Sequence, residues 1–164
     1  MTCGQKRVGI AEIKVGAAPE VLISYGLGSC LALTLHDPTL RVGGMAHTLL
    51  PAHLPGTAPP RPGKFVDTAV ARLLELVLEA GARRQRLVAK FVGGANMFEA
   101  ILAPGREQVG ARNAEAARAT LEAFGIPLVA EDSGGNYGRS AEFLLATGEV
   151  RVRTVYERDA FLVL

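Results

Sequence analysis

Apolar and polar residues alternate in several short runs of this chain, and in two longer segments the apolar residues recur every three or four positions. Alternation is typical of a strand with one buried face, and the longer spacing is typical of a helix with one buried face. The pattern predicts strands over residues 8–15, 21–25, 31–35, 42–46, 87–92, 127–131, 143–146 and 150–155. Residues 158–164 fit neither pattern.

The clearest helix spans residues 64–80 and is followed by Gly81, and a second spans residues 113–124 and is followed by Gly125. A short helix is predicted over residues 97–102. Antiparallel pairs near both ends, with two main helices between them, predict an α+β fold with a mixed, largely antiparallel sheet. The 164 residues are expected to form a single domain, 1–164.

The runs 31–35 and 42–46 predict a hairpin that brings a cysteine and a histidine together. A turn centred between Pro38 and Thr39 sets Cys30 opposite His47, and opposed β-carbons lie about 4.5–5.5 Å apart. From that distance the imidazole can take the proton of the thiol. A slip of one residue would send the two side chains to opposite faces, so the prediction depends on the register. The same register gathers an apolar set on the other face: Leu31, Leu33, Leu35, Val42 and Ala46.

The cysteine follows a glycine turn, Gly26-Leu27-Gly28-Ser29-Cys30, and glycine permits the close backbone approach that a site for a reacting carbonyl needs. Two other interpretations remain open at this point. A free cysteine often serves as a small buried hydrophobe. A redox role is the weaker alternative, because no resolving cysteine neighbours Cys30.

Three glycine-rich turns follow strand-like runs, at residues 26–29, 93–96 and 134–139, and such turns can collect at one end of a sheet. None has the spacing of a phosphate-binding loop. The segment 51–63 holds five prolines and is expected to be a mobile loop that could form a lid or an entrance. Four polar residues near the turns are expected to be caps, turn residues or solvated side chains: Asn96, Arg112, Asn113 and Arg139.

Composition narrows the classes of partner. A net charge of +2 and few aromatic residues argue against a nucleic-acid surface, and the basic run 83–86 is interpreted as a solvated connection. No stretch has the roughly 20 apolar residues of a membrane span, so membrane insertion is not expected. Two thiols, Cys3 and Cys30, are expected to stay reduced in a cytoplasmic protein. No zinc-like spacing of Cys and His is present, so neither a metal nor another cofactor is expected.

Five motifs together resemble a known family. They occur in the family's order and cover residues 8–155, which makes the match far more specific than any one motif. The chain is similar in this respect to the chemoreceptor glutamine deamidases, the CheD family. The motifs are Gly-Leu-Gly-Ser-Cys30, Gly-Gly-Met-Ala-His47, Lys90-Phe-Val-Gly-Gly-Ala95, Gly110-Ala-Arg-Asn113 and Asp132-Ser-Gly-Gly-Asn-Tyr-Gly-Arg139.

The resemblance implies an α/β sandwich related to cysteine-dependent deamidating toxins. It also implies conversion of receptor glutamines to glutamates by a Cys-His-Thr triad, with a methylesterase side activity in some members. Cys30 is then the nucleophile and His47 the base. The family's threonine falls on Ser24, a departure that keeps the hydroxyl and loses the methyl group. Backbone N–H groups near Ser29 and Cys30 are the oxyanion candidates, and Gly28 is a further candidate in the same turn.

The implied partners are the cytoplasmic domain of chemotaxis receptors and a CheC-type phosphatase. The alternative function is a regulatory binding module that stimulates such a phosphatase and has weak or no catalysis. The substrate-binding residues stay unassigned from sequence.

Overall fold

The computed structural model of the chain describes residues 4–57, 61–97 and 108–164. Ten strands and two α-helices lie within these ranges. The strands are β1 (Gln5–Arg7), β2 (Ile13–Ala17), β3 (Val21–Leu27), β4 (Leu31–Asp37), β5 (Val42–Thr48), β6 (Val88–Gly93), β7 (Leu128–Ser133), β8 (Arg139–Leu144), β9 (Val150–Thr154) and β10 (Glu157–Val163); the helices are α1 (Val66–Glu79) and α2 (Val109–Ala123).

The strands form two five-stranded sheets. The first sheet has the order β1-β3-β8-β9-β10 and the second has the order β2-β5-β4-β6-β7. Each sheet has one parallel pair, β1 with β3 and β6 with β7, and its other pairs are antiparallel. The helices pack on one face of the second sheet, whose other face packs against the first sheet. The predicted α+β sandwich with largely antiparallel pairing is confirmed.

The hairpin β4–β5 lies at the centre of this arrangement and is buried on both faces. One face, here called the helix side, carries Leu31, Leu33 and Leu35 into the core formed with α1 and α2. The opposite face, here called the inter-sheet side, carries Ala32 and Met45 into the core formed with the first sheet. Every residue of both strands is therefore buried.

The register of the hairpin differs from the predicted one by two positions. His47 lies opposite Ala32, and Cys30 lies just before β4 as a diagonal neighbour of His47. The cause is the turn: the Asp37 carboxylate accepts the N–H groups of Thr39 and Leu40, and the chain leaves the turn through Arg41 with φ 56. A displacement of two positions preserves the face, so Cys30 and His47 remain on the same side of the sheet.

The predicted first strand over residues 8–15 is wrong, because the chain turns between β1 and β2. The Glu12 carboxylate accepts the Gly9 N–H at 3.1 Å, and Ala11 has a left-handed φ of 63. β1 belongs to the first sheet and β2 to the second, so the chain crosses between the sheets here. Val8 is fully buried at this crossing.

Both main helices are confirmed, with a different start for the second. α2 begins at Val109, four positions before the predicted start, and its second residue is Gly110. A β-carbon on Gly110 would lie 2.3 Å from the Ala95 carbonyl oxygen, so only glycine lets the helix approach the 93–96 turn this closely. The predicted short helix over 97–102 lies, beyond Met97, outside the described residues.

The other segments near the C-terminus are resolved as strands. The predicted hairpin of residues 143–146 and 150–155 is confirmed by the pairing of Phe143 with Val150. Residues 158–164 fall largely within β10.

The basic run 83–86 is not merely solvated, which corrects the prediction. The Arg86 guanidinium binds the fully buried Asp37 carboxylate at 2.9 Å. Burial alone would raise the pKa of Asp37, but Arg86 and the Arg83 N–H hold that pKa far below its usual range.

Candidate active site

Cys30 is half-buried and lies at the point where the glycine turn enters β4. Its carbonyl oxygen accepts the Gly94 N–H at 3.0 Å. Gly93 has φ +122, and a β-carbon there would lie 2.0 Å from the Cys30 carbonyl oxygen. Glycine at this position is therefore a steric requirement for holding the cysteine backbone against β6.

The three glycine-rich turns do collect at one end of the sheets, as the sequence predicts. The 93–96 turn lies in the middle: Ala95 N–H donates to the Gly28 carbonyl at 2.9 Å, and Asn96 N–H donates to the Gly135 carbonyl at 2.8 Å. Gly134 N–H completes the set with a 3.2 Å bond to the Gly93 carbonyl. Backbone bonds therefore join the cysteine turn to both other turns.

His47 lies on the inter-sheet side and is only 2% exposed. Its Nδ1 is 3.3 Å from the Val8 carbonyl oxygen. Because a carbonyl oxygen can only accept, Nδ1 carries the proton, and Nε2 of the neutral ring has the free lone pair. Within residues 4–57, 61–97 and 108–164, Nε2 is buried and has no hydrogen-bond partner.

Ser24 lies on β3 of the first sheet and is fully buried. Its hydroxyl donates to the Val8 carbonyl at 2.9 Å and lies 3.2 Å from Met45 Sδ. Ser24 and His47 thus share one acceptor, and in the described part of the chain no hydrogen bond joins them directly. Ser24 reaches the imidazole through Val8, a backbone group that sequence patterns do not reveal.

Burial sets the protonation of the pair. It lowers the pKa of His47, against smaller opposing effects of the Val8 carbonyl and of Glu12. It also raises the pKa of the Cys30 thiol, which the residue's own backbone N–H lowers in part. Both shifts favour the uncharged form of each group at neutral pH, because burial disfavours charge.

The oxyanion candidates lie in the same turn. The carbonyl groups of Gly28 and Ser29 are engaged, the first by Ala95 N–H and the second by the side chain of Asn113. Among the described residues, the N–H groups of Ser29 and Cys30 have no acceptor other than the cysteine's own sulfur. These two donors are therefore available to a ligand.

Asn113 and Arg139 are buried, which corrects the expectation of solvated or turn residues. Asn113 is fully buried on α2, and its Nδ2 donates to the carbonyls of Ser29 and Leu49, each at 2.9 Å. Arg139 is 3% exposed and binds the Asp132 carboxylate at 3.0 Å. A signal for Asn113 was present in the sequence: it occupies the buried stripe of α2, where its neighbours are apolar.

One cavity borders the cysteine turn, and a second cavity shares Val109 with it. One of about 190 Å³ is lined by Ser29, Ala95, Asn96, Met97, Gln108, Val109 and Gly110. Another of about 410 Å³ is lined by residues 50–55 together with Phe65, Val109 and Arg112. Residues 51–55 of the proline-rich segment therefore line a cavity next to the one that borders Ser29.

Comparison with known proteins gives consistent results. A family described as CheD chemotactic sensory transduction matches residues 49–154. The chain is 50% identical to the probable chemoreceptor glutamine deamidase CheD 2 of Geobacter metallireducens, over 92% of this chain and 93% of that protein. It is 46% identical to the chemoreceptor glutamine deamidase CheD of Thermotoga maritima, over 92% of each. None of the helices in the described ranges is long and apolar enough to cross a bilayer.

Proposed function

We propose that this chain, which belongs to the CheD family, hydrolyses the side-chain carboxamide of glutamines in chemoreceptors, with Cys30 as the nucleophile and His47 as the general base. The observation that carries the assignment is the state of His47. Its proton is held on Nδ1 by Val8. Its Nε2, which has no hydrogen-bond partner among the described residues, lies on the same side of the sheet as Cys30.

In the first step, Nε2 of His47 takes the thiol proton while Sγ of Cys30 forms a bond to the carboxamide carbon. The electron pair of the C=O π bond moves to oxygen and gives a tetrahedral oxyanion. The N–H groups of Ser29 and Cys30, which in the described part of the chain have no acceptor except the cysteine's own sulfur, are the donors proposed for that oxygen. Such donors are each worth about 10²–10³ in rate.

In the second step, the imidazolium gives its proton to the nitrogen, the C–N bond breaks, and ammonia leaves. The remaining thioester links Sγ to the glutamyl carbonyl. His47 then takes a proton from a water molecule, which attacks the thioester carbon. Collapse returns the proton to sulfur and releases a glutamate side chain. A glutamyl methyl ester would follow the same route with methanol as the leaving group.

The raised pKa of the thiol favours proton transfer during the attack over a preformed ion pair. A thiolate and an imidazolium would both be unfavourable in a buried site until the substrate supplies a carbon to attack. Val8 holds the imidazole orientation in this scheme. Ser24 contributes by donating to the same carbonyl, which keeps that acceptor fixed between the two sheets.

The partner proposed for this activity is the cytoplasmic domain of a chemotaxis receptor, which puts the enzyme in the cytoplasm. The cavity beside Ser29 is narrow and largely apolar, as the methylene groups of a glutamine side chain require. Residues 51–55 line the neighbouring cavity, and the segment 51–63 is the first candidate for contact with the receptor surface.

A second candidate function is regulation of a CheC-type phosphatase with little or no catalysis. The raised thiol pKa and the serine at position 24 favour it, because both are compatible with slow chemistry. The two candidates differ in what they require of Cys30: only the deamidase needs its sulfur.

The deciding experiment incubates the protein with a receptor cytoplasmic domain and follows glutamine-to-glutamate conversion by mass spectrometry. Wild type is expected to convert specific glutamines, and Cys30→Ala is expected to lose at least about 10⁴-fold in rate, because the covalent path is gone. Cys30→Ser, which is nearly isosteric, serves as the matched control for packing. Conversion that survives Cys30→Ala would rule out this mechanism. No conversion by wild type, together with tight phosphatase binding, would favour the second candidate.

A further inference from the structure

Asn113 joins two segments that are far apart along the chain. Its single Nδ2 group donates one N–H to the carbonyl of Ser29 and the other to the carbonyl of Leu49, both at 2.9 Å. Ser29 immediately precedes Cys30, and Leu49 follows β5, the strand that carries His47. With both N–H bonds engaged, the amide plane of Asn113 cannot rotate.

This clamp fixes the direction of a neighbouring donor. The peptide group between Ser29 and Cys30 is planar, and in a trans peptide the C=O and N–H bonds point in opposite directions. Because the Ser29 carbonyl points at Asn113, the Cys30 N–H points away from it. That N–H has no acceptor among the described residues except its own sulfur, so it stays available beside the nucleophile.

We propose that Asn113 is a positioning residue that aims the Cys30 backbone N–H at the oxygen of the reacting carbonyl. The inference rests on the proposed deamidase chemistry, in which an oxyanion develops next to Sγ of Cys30. Asn113 touches neither the substrate nor the sulfur in this scheme. It acts through the Ser29–Cys30 peptide group.

The chemistry of this position favours a donor over a space-filling role. Asn113 is fully buried, and its Oδ1 has no hydrogen-bond partner among the described residues. An unsatisfied buried acceptor costs about 1–3 kcal/mol, which an apolar side chain would avoid. Gly110 lets α2 lie against the 93–96 turn, which brings this short side chain within reach of both carbonyls.

The test separates oxyanion stabilisation from thiol reactivity. Asn113→Ala is expected to lower kcat for deamidation by about 10²-fold and to change KM little, because the lost interaction forms only in the transition state. Alkylation of Cys30 by iodoacetamide displaces iodide and develops no carbonyl oxyanion. The rate of alkylation is therefore expected to stay within about threefold of the wild-type rate across the pH profile, a change far smaller than the effect of an oxyanion donor.

A second probe does not depend on the receptor. A peptide with an aldehyde in place of the glutamine carboxamide should add Cys30 Sγ to its carbonyl carbon, and the thiol proton passes to the oxygen. The thiohemiacetal of Asn113→Ala is expected to be about 10- to 10²-fold weaker than that of wild type, since the same N–H binds its oxygen. Failure of wild type to deamidate a receptor would overturn the proposed function, whereas equal aldehyde affinities would overturn the role of Asn113.

Ala117→Gly is the matched control, because it is buried on the same helix and loosens it by about 0.5–1 kcal/mol without touching either carbonyl. It should keep kcat and alkylation near wild type. If Asn113→Ala does not fold, Asn113→Ser takes its place, because the shorter serine side chain keeps a polar group there and leaves room for a water molecule. Parallel losses of deamidation and alkylation in the Asn113 variant would mean a purely structural role and would contradict the proposal.

Discussion

The two sides of the β4–β5 hairpin carry different kinds of side chain, although the same two strands form them. The helix side carries only apolar residues and glycine from Leu31 to Leu35 and from Val42 to Ala46, and its polar residues, Asp37 and Thr48, lie at its two ends. The inter-sheet side combines three apolar or small residues, Ala32, Gly43 and Met45, with three polar ones, Thr34, His36 and His47.

Each polar group on the inter-sheet side has a backbone acceptor, with one exception. Thr34 donates to the Lys90 carbonyl, and His36 Nε2 is 2.9 Å from the Leu145 carbonyl. His47 Nδ1 is bound to Val8, but its Nε2 is left without a partner within the described residues. A buried polar atom without a partner is costly and needs an explanation. His47 Nε2 shares this state with Thr48 Oγ1 of the same hairpin, but only His47 lies on the side of the sheet that carries Cys30.

The largest expected effect on activity comes from replacing the imidazole of His47. His47→Gln can still donate to Val8 but has no base at the Nε2 position, and we expect kcat for deamidation to fall by about 10²–10⁴-fold. The measurement is mass-spectrometric conversion of receptor glutamines under saturating substrate. A variant with at least a tenth of wild-type kcat would contradict the assignment of His47 as base.

A change on the helix side should lower the stability of the protein and leave kcat nearly unchanged. Leu33 is fully buried among α1 and α2, and Leu33→Ala is expected to lower the free energy of unfolding by about 2–5 kcal/mol. Urea denaturation followed by circular dichroism measures the loss. At a temperature where the variant is folded, kcat should stay within a few-fold of wild type, because Leu33 has no contact with the inter-sheet side. Loss of kcat in the folded variant would show that the two sides are coupled.

The helix side was also the easier side to predict from sequence. Its leucine alternation and the three- and four-residue spacing of α1 give the strands, the helix and the sandwich, because burial of apolar surface depends on periodicity alone. A register error of two positions leaves that pattern unchanged. For the same reason, Cys30 and His47 were predicted on the correct face although their direct opposition was wrong.

The inter-sheet side needed information that periodicity does not contain. The Asp37 carboxylate determines the length of the turn through bonds to two N–H groups, and the Val8 carbonyl reaches His47 from a crossing predicted as a strand. Asn113 reaches the cysteine turn across 84 positions of sequence. Contacts made by backbone carbonyls depend on tertiary structure, so residue types alone cannot reveal them.

A smaller effect is expected at Ser24. Ser24→Ala leaves the Val8 carbonyl to His47 alone, and we expect kcat to fall about tenfold, the equivalent of one hydrogen bond of about 1–1.5 kcal/mol. Ser24→Thr keeps the hydroxyl and restores the family's methyl group, and the rates of both variants should be compared at equal folded fraction. Unchanged kcat in Ser24→Ala would limit this residue to packing.

The smallest effect concerns pH and again contrasts the two sides. Burial lowers the pKa of both inter-sheet histidines, His36 and His47. At His36 the Leu145 carbonyl and Asp37 oppose this shift, and Lys90 adds to it. At His47 the Val8 carbonyl and Glu12 oppose it. A group with a lowered folded pKa binds its proton more readily in the unfolded chain, so stability is lost as pH falls below 6.5. Urea midpoints should therefore decrease from pH 7 toward pH 5.

His36→Gln should make this decrease with pH shallower. The helix-side variant Leu33→Ala should leave the slope of the urea midpoint against pH unchanged, because it removes no titratable group. A slope that His36→Gln and His47→Gln both leave intact would assign the pH dependence to other groups.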